Sequence, residues 1–161
     1  MKLGNLFLFL LLNFAALAIG GWWLGDPSTN EWYQSLEKAP WNPPNWMFGV
    51  AWTTIMICFS IFLWKVTEKY NWKDIFRPFF VVYICQWLLN VAWNPVFFRS
   101  QLVWPALVII LMLSILVGWF WYWGMKRMGN WGWLMAPYFI WLMIALSLNA
   151  YIFFANDATQ F

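Results

Sequence analysis

The feature that most constrains this chain is a succession of five apolar stretches, each about as long as the roughly 20 residues that a helix needs to cross a bilayer. They cover residues 3–24, 46–65, 78–98, 102–123 and 131–154. A membrane interior offers backbone groups no water, so a spanning segment must be a helix or part of a closed barrel. Barrel strands are shorter and alternate in polarity, whereas these runs are continuous. We therefore predict an all-α integral membrane bundle of five transmembrane helices, forming a single domain over residues 1–161.

The composition and the placement of charges agree with a membrane protein. Of 161 residues, 64% are hydrophobic and 9% are charged, which leaves too few polar groups to cover a soluble domain. Lys and Arg residues number seven in the connections on the N-terminal side and two on the other side. This asymmetry predicts a cytoplasmic N-terminus, with the first loop and the C-terminus outside. Topology thus explains the net charge of +3, and we expect no nucleic-acid partner.

The longest connection, residues 25–45, leads into the second span through the segment "KAPWNPPNW". Its prolines favour a stiff, extended backbone, whereas flexible linkers are rich in Gly and Ser. We interpret this loop as a lid over a pocket for a flat hydrophobic ligand. Trp32, Trp41 and Trp46 would supply aromatic contacts, and Lys38 would offer the ligand a positive charge. Lys38 is equally compatible with a solvated loop charge.

Several kinds of chemistry are missing from the sequence. The chain has no histidine, the commonest metal ligand and general base. Charged residues occur in the spans only near their ends, so the usual marks of a proton relay or ion pathway are absent. We therefore expect no metal site, no required cofactor and no ion-coupled transport. A bound haem would receive no axial histidine from this chain.

Two helical faces carry the neutral polar residues of the spans. The residues that share these faces by helical spacing are Gln86, Asn90, Trp93 and Asn94 in the third span and Tyr138, Trp141, Ala145 and Asn149 in the fifth. Amides facing lipid are costly, so both faces should point into the bundle. A binding role is favoured for Asn90 and the Trp141 face, because large rings beside the small Ala145 leave a recess. For Gln86 and Asn94, hydrogen bonding between helices is an equal alternative.

Four segments, in order along the chain, resemble the TspO/MBR family, the tryptophan-rich sensory proteins that include the mitochondrial translocator protein, or peripheral benzodiazepine receptor. They read "WYQSLEKAPWNPPNWMFGVAW", "QWLLNVAWNPVFF", "WPALV" and "PYFIWLMIALSLN". Together they extend from about residue 32 to residue 149. The resemblance implies a five-helix bundle, commonly a homodimer, with a ligand pocket under the first loop.

The resemblance also implies a membrane receptor or sensor that binds, and in one interpretation transports, protoporphyrin IX, haem and other flat hydrophobic ligands. Pocket residues carried over from the family are Trp52, Asn90 and Trp141. Two alternatives stay open. One is an enzyme that degrades porphyrin with light and oxygen, using Trp52 and Trp141; the other is an apolar scaffold for a partner complex. Phe154 stands where mammalian members carry the arginine of a proposed cholesterol motif, which argues against sterol binding by that route and favours a prokaryotic cell envelope.

Overall fold

Every regular element described by the computed structural model is a helix. The structure describes residues 3–24, 28–70 and 72–156, and for residues 72–77 it describes the backbone alone. The helices are α1 (Leu3–Leu24), α2 (Glu31–Ser35), α3 (Asn45–Lys69), α4 (Trp72–Asn94), α5 (Val103–Met128) and α6 (Ala136–Ala155). A π-helical turn, Pro95–Arg99, follows α4, and a 3₁₀ turn, Gly129–Met135, joins α5 to α6. The predicted all-α bundle of five long helices is confirmed; α2 is a short addition in the first loop.

Three of the long helices extend beyond their apolar stretches. The third helix continues to Lys69 and the fifth to Met128, while α4 begins before its predicted start. Hydropathy marks where a helix meets lipid, but backbone hydrogen bonding continues into the polar residues that follow. An ion pair between Lys65 and Glu68, 2.7 Å apart, supports the additional turn of α3. The fifth helix ends at Met128, and the next residue, Gly129, has a φ of 60°, which is unfavourable for other residues.

The joint between α5 and α6 depends on a close contact between backbones. Length and hydropathy alone define four candidate membrane spans in the described residues. They do not separate α5 from α6, which lie within one helical stretch of 53 residues, Val103–Ala155. The 3₁₀ turn divides that stretch into two helices that pack against each other. A Cβ atom at Gly132 would lie 2.5 Å from the backbone nitrogen of Met125. Only glycine permits this approach, so Gly132 is required for the tight return of the chain.

The main core is aromatic and lies between α3, α5 and α6. Phe62 and Phe120 are fully buried, and the rings of Phe59 and Phe120 meet edge to face with centroids 5.5 Å apart. Such edge-to-face pairs add to the energy of burial because the ring edge is positive and the ring face negative. A second cluster lies beneath the first loop and consists of Leu36, Phe97, Phe98, Val103, Ala106 and Ile152. This second cluster supports one side of the candidate site.

A buried polar network attaches α1 to its neighbours. Asn13 Nδ2 donates a hydrogen bond to Ser60 Oγ at 2.9 Å, and the Tyr83 hydroxyl donates to Asn13 Oδ1 at 3.0 Å. The Asn13 amide therefore uses both its nitrogen and its oxygen. Hydrogen bonds of this kind link membrane helices because lipid offers the polar groups no alternative partner. We assign these three residues a structural role.

The outer surface of the bundle is strongly apolar. Phe7, Ile115 and Phe154 are 72%, 63% and 80% exposed, on helices that are long and apolar enough to cross a membrane. In water such a surface would drive aggregation, whereas in a bilayer it is solvated by lipid chains. The chain is therefore an integral membrane protein.

The described cations lie at opposite ends of the bundle. Lys69 Nζ donates to the backbone oxygen of Arg127 at 2.6 Å, at the end where α3 and α5 finish. At the other end, the Arg99 guanidinium lies 4.8 Å from the Trp23 ring, beside the end of α1. Which end faces the cytoplasm stays a prediction. The topology prediction counted nine Lys and Arg residues. Three of them, Lys2 and the side chains of Lys73 and Arg77, fall outside the described part of the chain.

Candidate functional site

The loop between α1 and α3 is fastened across one end of the bundle. Asn30 caps α2, because its side-chain oxygen accepts a hydrogen bond from the Tyr33 backbone N–H at 2.9 Å. The Glu37 backbone N–H donates to Asn156 Oδ1 at 2.8 Å, and Asn156 Nδ2 donates back to the Glu37 backbone oxygen at 3.1 Å. The Tyr151 hydroxyl donates to Glu37 Oε1 at 3.0 Å. These bonds hold the loop against α6.

Beneath the loop lies a cavity of about 390 Å³. This volume falls within the range of roughly 300–1,000 Å³ that is typical of small-molecule sites. Its wall includes residues of the loop and of all five long helices. Six residues singled out from the sequence line it, namely Trp52, Asn90, Trp93, Trp141, Ala145 and Asn149. Asn94, which shares the α4 face of Asn90 and Trp93, lines it as well.

Aromatic rings form two sides of the cavity. Phe48 and Trp52 lie one turn apart on α3, and the Phe48 ring meets Trp141 of α6 edge to face at 5.2 Å. On another part of the wall, Trp93 stacks on Phe97 with a centroid distance of 5.1 Å and an interplanar angle of 12°. All five residues line the cavity. Flat, polarisable walls of this kind suit a planar apolar ligand.

A hydrogen-bonded group behind the wall positions two of its residues. Gln86 Nε2 and Asn90 Nδ2 both donate to the Tyr138 hydroxyl, at 2.7 and 2.6 Å. The Tyr138 side chain is 1% exposed, and its ring lies 5.9 Å from that of Trp52. Tyr138 and Gln86 do not themselves line the cavity. They hold Asn90 and Trp52, which do.

The polar part of the wall is electrically neutral. Five asparagines contribute to it, namely Asn42, Asn45, Asn90, Asn94 and Asn149. Among the described lining residues there is no Asp, Glu, Lys or Arg. Tyr33 is the ionisable residue of the wall, and burial raises the pKa of its hydroxyl above the usual 10.0. The cavity can therefore bind by shape, stacking and hydrogen bonding, but it offers no general base near neutral pH.

Two of the tryptophans predicted to contact a ligand, Trp41 in the loop and Trp46 in the first turn of α3, lie outside the cavity. Trp41 and Trp46 are 54% and 66% exposed and do not line it. Trp41 Nε1 instead donates to Ser147 Oγ on α6 at 3.2 Å. This bond adds to the attachment of the loop, while the exposed rings have the amphipathic character of residues at a membrane interface.

The other two predicted loop residues lie next to the wall without forming it. The Trp32 ring packs edge to face on Phe97 at 5.5 Å and so supports a lining residue from behind. Lys38 is partly buried, and its Nζ atom lies 4.7 Å from the centroid of the Tyr33 ring. The loop residues that do reach the cavity are Tyr33 and Asn42.

Several lining residues that were not predicted from the sequence nevertheless carry a signal in it. Phe48 precedes Trp52 by one helical turn, so the same face of α3 includes both. Asn42 and Asn45 flank two consecutive prolines, where a rigid backbone fixes the direction of their side chains. The contribution of α1, which includes Gly21, has no such signal, because that helix is apolar except for Asn5 and Asn13, and neither of these lines the cavity.

The described residues hold no group of three or more His, Cys, Asp or Glu side chains that could bind a metal ion. The sequence profile of the TspO/MBR family matches residues 9–155. That range includes every residue of the cavity wall and almost all of the bundle.

Individual relatives come from bacteria, archaea and mammals. A tryptophan-rich sensory protein of Cereibacter sphaeroides is 32% identical over 121 residues, which are 74% of this chain and 73% of that protein. The tryptophan-rich protein TspO of Archaeoglobus fulgidus is 33% identical over 150 residues, 88% of this chain and 92% of the relative. The translocator protein of Bos taurus is 30% identical over 154 residues, 86% and 85% of the two chains. The chain described here belongs to the TspO/MBR family.

Proposed function

We propose that this protein is a membrane receptor or sensor that binds tetrapyrroles, such as protoporphyrin IX and haem, in the cavity below the first loop. The observation that carries the proposal is that Trp52, Asn90 and Trp141 line a single cavity. A porphyrin has two apolar faces and a polar edge. Aromatic walls suit the faces, and amides suit the edge. The tetrapyrrole is the ligand itself, and the protein needs no further cofactor for this role.

The relatives support the membrane receptor or sensor role. Their names describe a sensory protein in Cereibacter sphaeroides and a translocator protein in Bos taurus. The neutral wall favours sensing over ion-coupled transport, because the described cavity residues include no charged group that an ion gradient would act on. For haem in particular, the chain has no histidine to bind the iron, so the macrocycle would be held through its faces and edges.

Replacement of two wall tryptophans tests this proposal. Purified protein in lipid nanodiscs is titrated with protoporphyrin IX in the dark, and the Soret band is followed. Two ring contacts of about 0.5–1.5 kcal/mol each predict that Trp52→Leu together with Trp141→Leu weakens binding roughly 5- to 150-fold. The matched control is Trp22→Leu with Trp104→Leu, which removes two tryptophans that are 86% and 57% exposed and outside the cavity. An unchanged dissociation constant in the wall variant would refute the site.

A second candidate function follows from the same pair of residues. Trp52 and Trp141 both line the cavity, so a porphyrin bound there would place its light-absorbing ring beside two oxidisable indoles. Dioxygen would be the oxidant, and light would supply the excitation. An enzyme of this kind predicts many turnovers per protein under illumination, with a defined porphyrin product, and their loss in the Trp52→Leu, Trp141→Leu variant. Bleaching of less than one equivalent, with oxidation of the protein itself, would reject catalysis.

Assembly is a separate part of the proposal. We propose that the protein forms a homodimer in the bilayer, as the family resemblance implies. A role as a scaffold for a partner complex ranks below ligand binding. Native mass spectrometry after gentle extraction measures both. A mass of two chains supports the dimer. A single chain refutes it, and a stoichiometric foreign protein would favour the scaffold.

A further inference from the structure

One amide in the cavity wall is unlike the other buried asparagines. Asn149 is 2% exposed, yet neither its Nδ2 nor its Oδ1 atom has a hydrogen-bond partner among the described residues. Asn13, buried to the same degree, uses both atoms, and Asn90 donates to Tyr138. Asn149 lines the cavity, so a ligand bound there can supply the missing partner.

A second unpaired group lies on the same wall. The Trp93 indole Nε1 is buried and likewise has no partner among the described residues. Trp93 lines the cavity and packs against the cluster that contains Ile152, which is about one helical turn from Asn149 on α6. The lining residues therefore carry two unpaired donors, Asn149 Nδ2 and Trp93 Nε1, and one unpaired acceptor, Asn149 Oδ1. The indole N–H groups of Trp64 and Trp121 also lack partners among the described residues, but only Trp93 of these three lines the cavity.

The chemistry of an amide defines what would satisfy it. A primary carboxamide carries a donor and an acceptor side by side, so it pairs through two parallel hydrogen bonds with a group of the same pattern. Protonated carboxyl groups, primary amides and lactams have that pattern. An ionised carboxylate offers only acceptors. Its burial would also be costly here, because the described lining residues include no cation to pair with it.

Building on the proposed function, we propose that Asn149, assisted by the Trp93 indole N–H, is a subsite for a neutral ligand group that carries an adjacent donor and acceptor. For a tetrapyrrole with acid side chains, this group is a carboxyl that enters in its protonated form. The ring faces then contact the aromatic walls, while the acid edge meets Asn149. The subsite therefore discriminates among ligands by whether the group at that edge is neutral and carries both a donor and an acceptor.

Three forms of one porphyrin test the proposal in nanodiscs. They are protoporphyrin IX, its dimethyl ester, which has acceptors only, and its diamide, which has donors and acceptors at every pH. We expect the wild type to bind the diamide about tenfold more tightly than the ester, as for one well-formed pair of buried hydrogen bonds. At pH values above the carboxyl pKa, affinity for the diacid should rise about tenfold for each unit by which the pH is lowered. The reason is that the fraction of protonated, neutral carboxyl rises by the same factor. Affinity for the diamide should not change with pH.

Two variants separate a binding role from a structural one. Asn149→Leu should abolish the preference for the diamide, so that the diamide and the ester bind with equal affinity. It should also be at least as heat-stable as the wild type, because it removes an unpaired buried amide. The matched control, Asn5→Leu, changes a partly buried asparagine that bonds to Thr67 away from the cavity, and it should keep the preference.

The outcomes distinguish the two proposals. If the wild type binds all three porphyrins equally, ligand binding stands and the Asn149 subsite is overturned. Persistence of the diamide preference in Asn149→Leu, or a marked loss of its heat stability, also overturns the subsite. If no porphyrin binds the wild type above empty nanodiscs, the proposed function and the subsite fail together.

Discussion

Replacement of Tyr138 by phenylalanine tests whether the hydrogen-bonded group behind the wall shapes the site. The change removes one oxygen and leaves the ring in place. That oxygen accepts hydrogen bonds from Gln86 at 2.7 Å and Asn90 at 2.6 Å, and the residue is 1% exposed, so water cannot replace it. Both amide nitrogens therefore lose their partner.

The magnitude follows from the number of bonds. Hydrogen bonds between membrane helices contribute about 0.6 kcal/mol on average and up to about 1.7 kcal/mol, so two bonds predict a loss of roughly 1–3 kcal/mol in the free energy of unfolding. Asn90 lines the cavity and loses its anchor. Porphyrin affinity should therefore fall about 3- to 10-fold, since an unanchored side chain must be ordered when the ligand binds.

The assay compares Tyr138→Phe with Tyr122→Phe, a tyrosine that is 66% exposed and lies outside the cavity. Unfolding is measured in one detergent, and ligand binding is measured in nanodiscs. Tyr122→Phe should match the wild type in both. If Tyr138→Phe also matches the wild type in stability and affinity, the hydroxyl does not hold the wall, and our assignment of Tyr138 and Gln86 as positioning residues is refuted.

Three further predictions follow from the loop, the α5–α6 joint and the neutral wall. Glu37→Ala removes the carboxylate that accepts from Tyr151, so the loop should exchange its amide hydrogens faster in mass-spectrometric measurements, and equal exchange would show that this bond does not hold it. Gly132→Ala should lower the midpoint of thermal unfolding strongly, because its Cβ would lie 2.5 Å from a backbone atom, whereas Gly4→Ala, with open space around it, should not. Affinity for the uncharged porphyrin ester should be constant from about pH 6 to 9, because burial raises the pKa of Tyr33 above its usual 10.0 and keeps this hydroxyl neutral; a titration step in that range would contradict the neutral wall.

The helical architecture was accessible from sequence because each span is an uninterrupted apolar run. The exact ends were not, since α3 and α5 continue into charged residues that hydropathy treats as loops. The joint after α5 was partly visible through Gly129. The contact of Gly132 with the backbone of Met125 was not visible, because it depends on how the 3₁₀ turn folds back on the helix.

The site shows the same division between local and long-range information. Helical spacing pointed to Asn90 and Trp141, since residues one turn apart share a face. Spacing does not report which loop side chains turn inward. Trp41 faces outward because its indole bonds to Ser147 on α6, a partner 106 positions away in the sequence. In the structure Asn42, which lies beside the two consecutive prolines, reaches the cavity instead.

The most direct test of the central claim is a crystal or electron microscopy structure of the protein with bound protoporphyrin IX. The account predicts one porphyrin per chain inside the cavity, with its ring in contact with Trp52 and Trp141 and one acid side chain directed at Asn149. A porphyrin found only on the lipid-facing surface, or between two copies of the chain with the cavity unchanged, would contradict it.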